Sequence, residues 1–132
     1  MPEEASQIRT VFAEVKRKTS DDLVAVLEKS QAMPSQGVCS MFNYGMRYGI
    51  LKGLLEALDI QTRQVVPRTW KKYMFDDKED RRNKAASVRE CLRIFPRAQL
   101  IPERCRKPSD GIAEALLIAE YERLINLEGK FS

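Results

Sequence analysis

The sequence predicts an α/β fold with a small, mostly parallel sheet. The segments LVAVL and IQTRQVVP have strand character, and helical patterns precede, separate and follow them. The resulting order, α-β-α-β-α-α, is typical of strands that helical crossovers connect in parallel. The 132 residues contain no repeat and no linker-like tract, so we expect one domain over residues 1–132.

The first part of the chain predicts a helix and then a buried strand. Over about residues 3–18, apolar side chains recur at helical spacing, at Ile8, Val11, Phe12 and Val15. The run LVAVL, residues 23–27, is apolar on both faces, so it should lie inside a sheet that is covered on both sides. Pro34 and Gly37 then break the chain into a loop.

A long helix is predicted from about Ser40 to Leu58, and it carries three glycines at a spacing of four: Gly45, Gly49 and Gly53. Each interior glycine costs a helix about 1 kcal/mol, so a compensating close approach of another backbone is expected along this stripe. A strand of the same domain is the expected neighbour. A self-association seam is the alternative.

The second strand, IQTRQVVP, ends at Pro67, and RTWKKYMF predicts a short helical turn over residues 68–75. The segment PRAQLIPERCRKP reads as a loop with a short extended piece at 98–101. A last helix is predicted to start near Ser109 and to run to about Leu127.

Between the short turn and that loop, a helix is predicted over about residues 80–95. Its inward side chains are expected to be Val88, Leu92 and Phe95. Three arginines share its outer face: Arg82, Arg89 and Arg93.

The chain has no histidine, which excludes Ser-His and Cys-His nucleophilic catalysis and the usual ligand set for zinc. Its three cysteines are odd in number and widely spaced, so reduced thiols in the cytoplasm are expected. The apolar runs are too short to span a bilayer, and residues 1–10 lack the features of an export signal. We therefore expect a cytoplasmic chain with no membrane contact, whose chemistry depends on carboxylates, lysines or tyrosines.

The charge is distributed unevenly. Residues 1–62 carry 7 basic and 8 acidic side chains, residues 63–107 carry 14 and 6, and residues 108–132 carry 2 and 5. The middle segment therefore has a net charge of +8, between segments of −1 and −3. Such a segment favours an anion-binding face beside a carboxylate cluster, and the alternative is an ordinary solvated surface.

Three carboxylates are candidates for metal chemistry. Asp110 and Glu114 are four residues apart at the start of the last helix, which places both on one face. Glu28 directly follows the apolar strand. Each also has a simpler interpretation: Asp110 as a helix N-cap, Glu114 as an exposed helix residue and Glu28 as a polar residue leaving a strand.

Taken together, the three acids predict a two-metal site for phosphodiester cleavage. Such a site needs several carboxylates around two divalent ions roughly 4 Å apart. Oxygen ligands suit Mg²⁺ or Mn²⁺ and require no histidine. We expect the carboxylates of Glu28, Asp110 and Glu114 to converge at one edge of the sheet, within about 10 Å of one another.

Four segments, in this order, resemble the RuvC-like family of crossover junction endodeoxyribonucleases: VLEKSQAMPSQGVCSMFNYGMRYGILKGLLEAL, VVPRTWKKYMF, KAASVRECLRIFP and SDGIAEALLIAEYERL. The resemblance covers roughly residues 22–125. It implies a ribonuclease H-like fold, in which helices flank a mixed sheet and acidic residues at one edge hold two Mg²⁺ ions. It also implies a homodimer that cuts four-way DNA junctions.

The resemblance assigns roles to particular residues. Glu28 is similar to the family's second catalytic carboxylate, and Asp110 and Glu114 to the acidic pair on the last helix. Glu114 stands where an aspartate is more usual. Lys84 resembles a basic residue near the scissile phosphate. Candidate contacts to DNA are the aromatic residues Phe42 and Tyr44 and the basic residues Lys71, Lys72, Arg81, Arg82, Arg89 and Arg93.

One departure from the family pattern is large. The family fold begins with a strand of the type GIDPG, which carries the first catalytic aspartate, and two further strands follow it. The sequence contains none of these, so an N-terminally incomplete fold is expected. Two hypotheses follow: a Mg²⁺-dependent junction nuclease that is impaired in this chain, or a non-catalytic nucleic-acid-binding or oligomerising module.

Overall fold

A computed structural model describes residues 3–19, 23–29, 37–75 and 84–128. The chain forms two compact units, Met1–Gln64 and Val65–Ser132. The elements are α1 (Glu3–Lys18), β1 (Val24–Glu28), α2 (Val38–Ala57), β2 (Gln61–Val65), α3 (Pro67–Met74), α4 (Lys84–Ile94) and α5 (Asp110–Leu127). The predicted α/β class and its small parallel sheet are confirmed. Among the described residues, no helix is long and apolar enough to cross a membrane.

The sheet pairs β1 with β2, and α2 connects the two strands. The prediction that β1 lies fully covered inside a sheet is wrong, because all five of its residues are only half-buried. Within the described part of the chain the sheet has two strands, so β1 has a single hydrogen-bonded neighbour. Strand β1 is therefore more exposed than its apolar sequence predicts.

Helix α1 follows its predicted bounds, but its buried stripe lies one step around the helix. Ala5 is buried and Ile8 and Phe12 are half-buried, whereas Val11 and Val15 are exposed. At its C-terminal end, the ammonium of Lys16 donates to the backbone carbonyls of residues 58 and 59 at the end of α2. A lysine suits this position because the carbonyls at a helix end carry partial negative charge.

Helix α2 ends in a Schellman motif that leads the chain into β2. The amide of Ile60 donates to the carbonyl of Leu55 (2.9 Å), and the amide of Asp59 donates to the carbonyl of Glu56 (3.0 Å). The backbone of Asp59 is in the left-handed region, at φ 59°, a conformation that aspartate tolerates better than most residues. Ile60 is buried directly after this turn and anchors the start of the strand.

The glycine stripe of α2 is open. A Cβ added at Gly45, Gly49 or Gly53 would meet no heavy atom within 4 Å. The prediction that another backbone packs closely against these glycines is therefore wrong for the described residues. Among the described residues, no close packing contact offsets the cost of these three glycines to the helix.

An alanine at position 49 is expected to stabilise the protein. The added methyl group meets no neighbour, and alanine is favoured over glycine in a helix interior by about 0.5–1 kcal/mol. Urea denaturation of Gly49→Ala should show this increase. A loss of stability would show that a backbone packs against the stripe after all.

The core of Val65–Ser132 forms where α3 and α4 pack against α5. Helix α3 starts with Pro67 at its first position, where a missing amide hydrogen costs nothing. Trp70 is fully buried on this helix, as are Cys91 of α4 and Leu117 of α5. The ring of Tyr73 meets that of Tyr121 edge-on, with centroids 5.3 Å apart. Burial of these large side chains is the main stabilising contribution in this unit.

Helix α4 turns a face of small residues inward, and the predicted inward face is wrong. Ala86, Ser87 and Cys91 are buried, whereas Leu92 is 39% exposed. Val88 and Phe95 are only half-buried. Small side chains let two helices approach closely, which explains why α4 uses this face against α5. The predicted outer arginines Arg89 and Arg93 are exposed, and Arg82 lies outside the described residues.

The segment from residue 95 to residue 109 contains no strand, so the short extended piece predicted at 98–101 does not pair in a sheet. Leu100 is nevertheless buried, and its carbonyl accepts a hydrogen bond from the amide of Ser109 (2.7 Å). The side chain of Ser109 in turn caps α5, accepting from the amide of Ile112 (3.1 Å). These bonds fix where α5 begins.

Candidate active site

The start of α5 places two carboxylates one turn apart. Ser109 is the N-cap, so Asp110 is the first helical residue and its carboxylate does not serve as the cap. Asp110 is half-buried, and its side chain has no hydrogen bond or ion pair to a described residue.

Glu114 is held by two side chains from other helices. The hydroxyl of Ser87 on α4 donates to Glu114 Oε1 (3.2 Å), and Lys71 Nζ on α3 lies 3.9 Å from the same oxygen. The Glu114 and Lys71 side chains are about one quarter exposed, at 26% and 25%. Glu114 is therefore a half-buried carboxylate that side chains of two other helices contact, and not an ordinary exposed helix residue.

The packing of the unit explains this arrangement. Trp70 is fully buried next to Lys71, whose ammonium lies 5.6 Å from the centre of the indole ring. Burial of the indole fixes α3, and α3 in turn carries Lys71 to α5. A partly exposed ion pair of this kind contributes only about 0–1 kcal/mol, so an incoming cation or phosphate can displace it at little cost.

Glu28 is the last residue of β1 and is half-buried. Its backbone carbonyl accepts a hydrogen bond from the hydroxyl of Tyr48 (3.4 Å), and that hydroxyl accepts from Gln64 Nε2 (3.1 Å). Burial is the main factor that raises the pKa of Tyr48, so the phenol stays protonated and can donate. A side chain of α2 and one of β2 thus fix the backbone at the end of β1.

The three candidate carboxylates have the oxygen donors that suit a hard divalent cation, but they are divided between the two units. Glu28 belongs to Met1–Gln64, and Asp110 and Glu114 belong to Val65–Ser132. Within neither unit do the described residues bring together three or more acidic or thiol side chains that could hold a metal ion. Asp110 and Glu114 supply oxygen ligands of the kind that Mg²⁺ and Mn²⁺ prefer. The convergence of all three carboxylates stays a prediction.

The predicted DNA contacts are found in differing surroundings. Phe42 is 71% exposed on α2, and Tyr44 is half exposed and stacks on Tyr48 with ring centroids 6.2 Å apart. Exposed aromatic rings are suited to stacking on bases. Lys72 is exposed on α3, and Lys84 is the first residue of α4.

Two of the predicted basic contacts are already engaged with carboxylates. Lys71 lies against Glu114, and the guanidinium of Arg93 pairs with Glu90 three residues earlier. This pairing raises the pKa of Arg93. Arg89 is exposed on the same helix, and Arg81 and Arg82 lie outside the described residues.

Sequence reasoning missed Ser87 and the position of Lys71 beside Glu114. Ser87 is 1% exposed, and its hydroxyl donates a hydrogen bond to Glu114. The signal for Ser87 was the spacing of small residues on α4, because Ala86, Ser87 and Cys91 fall on one helical face. The Lys71 contact joins residues 43 positions apart, and no local pattern predicts it.

Comparison of the sequence with models of known protein families finds no match, and comparison with curated proteins finds no significantly similar relative. The functional assignment therefore depends on the chain's own residues and on the resemblance described above.

Proposed function

We propose that this chain is a Mg²⁺-dependent endonuclease that cuts branched DNA, with a ribonuclease H-like fold and impaired activity. The observation that carries the proposal is the environment of Glu114. A buried serine and a lysine contact this carboxylate, which lies one turn from the half-buried Asp110, and such an acidic pair supports a role in binding a divalent cation for phosphodiester cleavage. The resemblance to the RuvC-like family supports the same conclusion.

In this proposal, Glu28, Asp110 and Glu114 hold the cation. Bound Mg²⁺ supplies Lewis-acid stabilisation of the charge that develops on the scissile phosphate. Ser87 orients Glu114 by donating to Oε1, which limits the rotamers open to that carboxylate. Lys71 offsets part of the negative charge of Glu114 and is close enough to meet a phosphate oxygen that reaches this carboxylate.

The family's first aspartate is not among these residues. Two closely spaced divalent cations repel each other, and bridging carboxylates must offset this repulsion. Three carboxylates are too few to do so and to hold both cations in position. We therefore propose that the 132 residues alone cut DNA poorly, and that full activity needs a further carboxylate on a strand of the GIDPG type.

A non-catalytic, oligomerising module is the second candidate, and the exposed face of α2 favours it. Val38, Phe42 and Met46 are at least half exposed on this helix, and its glycine stripe is open. An apolar helix face with room for a close backbone approach is suited to pairing with a second copy. A homodimer fits both candidate functions.

The test is cleavage of a synthetic four-way junction with Mg²⁺ or Mn²⁺. The 132-residue protein is expected to cut slowly or not at all, and a version with a GIDPG-type strand added at its N-terminus is expected to cut. Glu28→Gln in the extended protein should abolish cleavage and leave junction binding largely unchanged. If the extended protein binds junctions but does not cut them with either cation, the non-catalytic candidate is correct.

A further inference from the structure

Residues 101–108, IPERCRKP, form a closed loop that we call the basic loop. Its ends are joined by the hydrogen bond from the amide of Ser109 to the carbonyl of Leu100 (2.7 Å), and Leu100 is buried. Inside the loop, the amide of Cys105 donates to the carbonyl of Pro102 (3.0 Å). The loop therefore has a defined turn and a fixed base, and residues 103–108 are all exposed.

The basic loop carries three cations, Arg104, Arg106 and Lys107, and one acid, Glu103. None of the three cations pairs with, or donates from its side chain to, a described residue. Some of the chain's other basic residues are paired with carboxylates. Arg17 and Lys18 both pair with Glu14 (2.7 and 3.2 Å), and Arg123 pairs with Glu120.

Arg104 occupies a backbone position that favours glycine. Its φ of 67° places it in the left-handed region at the third residue of the turn that starts at Pro102. A residue with a Cβ is strained there by about 1–2 kcal/mol, so a glycine would fit the backbone better. An arginine at this position projects a charged side chain from the tip of the turn, at a cost that packing does not offset.

We infer that the basic loop binds the sugar-phosphate backbone of duplex DNA. The inference rests on the proposed function, because it takes DNA as the partner. The loop leads directly into Ser109 and Asp110, so its cations stand on the chain next to the proposed metal-binding carboxylates. Phosphates on either side of the cleaved bond need such positive charge, because Asp110 and Glu114 repel DNA.

Duplex DNA fits this surface better than a membrane does. Membrane-surface elements combine basic residues with a broad apolar face that enters the lipid. In the basic loop, Ile101 is the large apolar side chain that is exposed. Unpaired cations without such a face favour a polyanion whose binding releases counterions.

The test compares two triple variants of the 132-residue protein that lose the same charge. The loop variant is Arg104→Gly with Arg106→Gln and Lys107→Gln. The control is Arg17→Gln with Lys18→Gln and Arg123→Gln, which removes three paired cations. Binding to a labelled linear duplex and to a labelled four-way junction is measured by fluorescence anisotropy in EDTA over a series of salt concentrations, so cleavage does not enter the result.

The loop variant is expected to bind both DNAs on the order of 10–100-fold more weakly at low salt, and the slope of log affinity against log salt should fall by about 2–3. The control should lose much less, and the loop variant should melt no lower than the control because Arg104→Gly relieves the turn. Equal losses in both variants, unchanged binding by the loop variant, or no DNA binding by the wild type would overturn the inference. If the loop substitutions weaken binding to phosphatidylserine vesicles but leave binding to both DNAs unchanged, the inference is also overturned. The proposed nuclease activity is judged separately, by metal-dependent cleavage.

Discussion

Glutamine in place of Glu114 is expected to slow Mg²⁺-dependent cleavage strongly in the extended protein while the fold is retained. Loss of one electrostatic partner of a transition state slows catalysis by about 10²–10³-fold. The amide can still accept a hydrogen bond from Ser87, and the lost pair with Lys71 is partly exposed. The change in stability should therefore stay below about 1 kcal/mol. Junction cleavage and urea denaturation measure the two effects.

Two further variants on α5 make this result specific. Glu114→Asp keeps a carboxylate of the kind more usual in the family and should retain part of the activity. Glu120→Gln removes one negative charge from the same helix, where Glu120 pairs with Arg123, and should cleave at nearly the wild-type rate. If Glu114→Gln cuts as fast as Glu120→Gln, Glu114 is not a metal ligand.

Alanine in place of Trp70 is expected to destabilise the protein by about 3–5 kcal/mol, the usual cost of truncating a fully buried aromatic side chain. The indole is completely buried, and its ring lies 6.0 Å from that of Phe75. Its loss also removes the support that places Lys71 against α5. Urea denaturation followed by circular dichroism measures the loss.

Leu127→Ala is the matched control, because this side chain is 71% exposed at the end of α5. Its stability should differ from that of the wild type by less than about 0.5 kcal/mol. A Trp70→Ala protein as stable as Leu127→Ala would show that the indole is not the centre of this unit's core.

Most of the order of the elements could be predicted from the sequence, because local signals specify it, although the short helical turn expected over residues 68–75 is the eight-residue helix α3. The helical spacing of apolar residues in α1, the start of α3 at Pro67 and the cap at Ser109 each act within a few residues. The observed bounds of α1, α2 and α5 lie within about two residues of the predicted ones, a difference that assignment of helix ends normally carries.

The faces of the elements were harder to predict, since burial depends on distant partners. The apolar side chain of Leu92 predicted that it would be buried, but Leu92 is exposed. The close approach of α4 to α5 instead buries Ala86, Ser87 and Cys91. The cost of the glycines in α2 suggested a compensating contact, and the described residues contain none. In both cases composition was used to infer packing that only tertiary structure determines.

The candidate site shows the same division. Asp110 and Glu114 were expected on one face of the last helix, and α5 places them there because helical geometry alone requires it. The contacts of Glu114 with Ser87 and Lys71 join three helices, so no pattern within one segment could reveal them. The pairing of Arg17, Arg93 and Arg123 with glutamates, which the cations of the basic loop lack, likewise became visible only in the structure.

The most direct test of the central claim is the position of bound Mn²⁺ in crystals of the extended protein, located by anomalous scattering. We expect Mn²⁺ within about 2.0–2.2 Å of carboxylate oxygens of Glu28, Asp110 and Glu114. Crystals of Glu28→Gln should show weaker or no Mn²⁺ there. A Glu28 side chain that points away from α5, or Mn²⁺ bound elsewhere with these three carboxylates unliganded, would contradict the account.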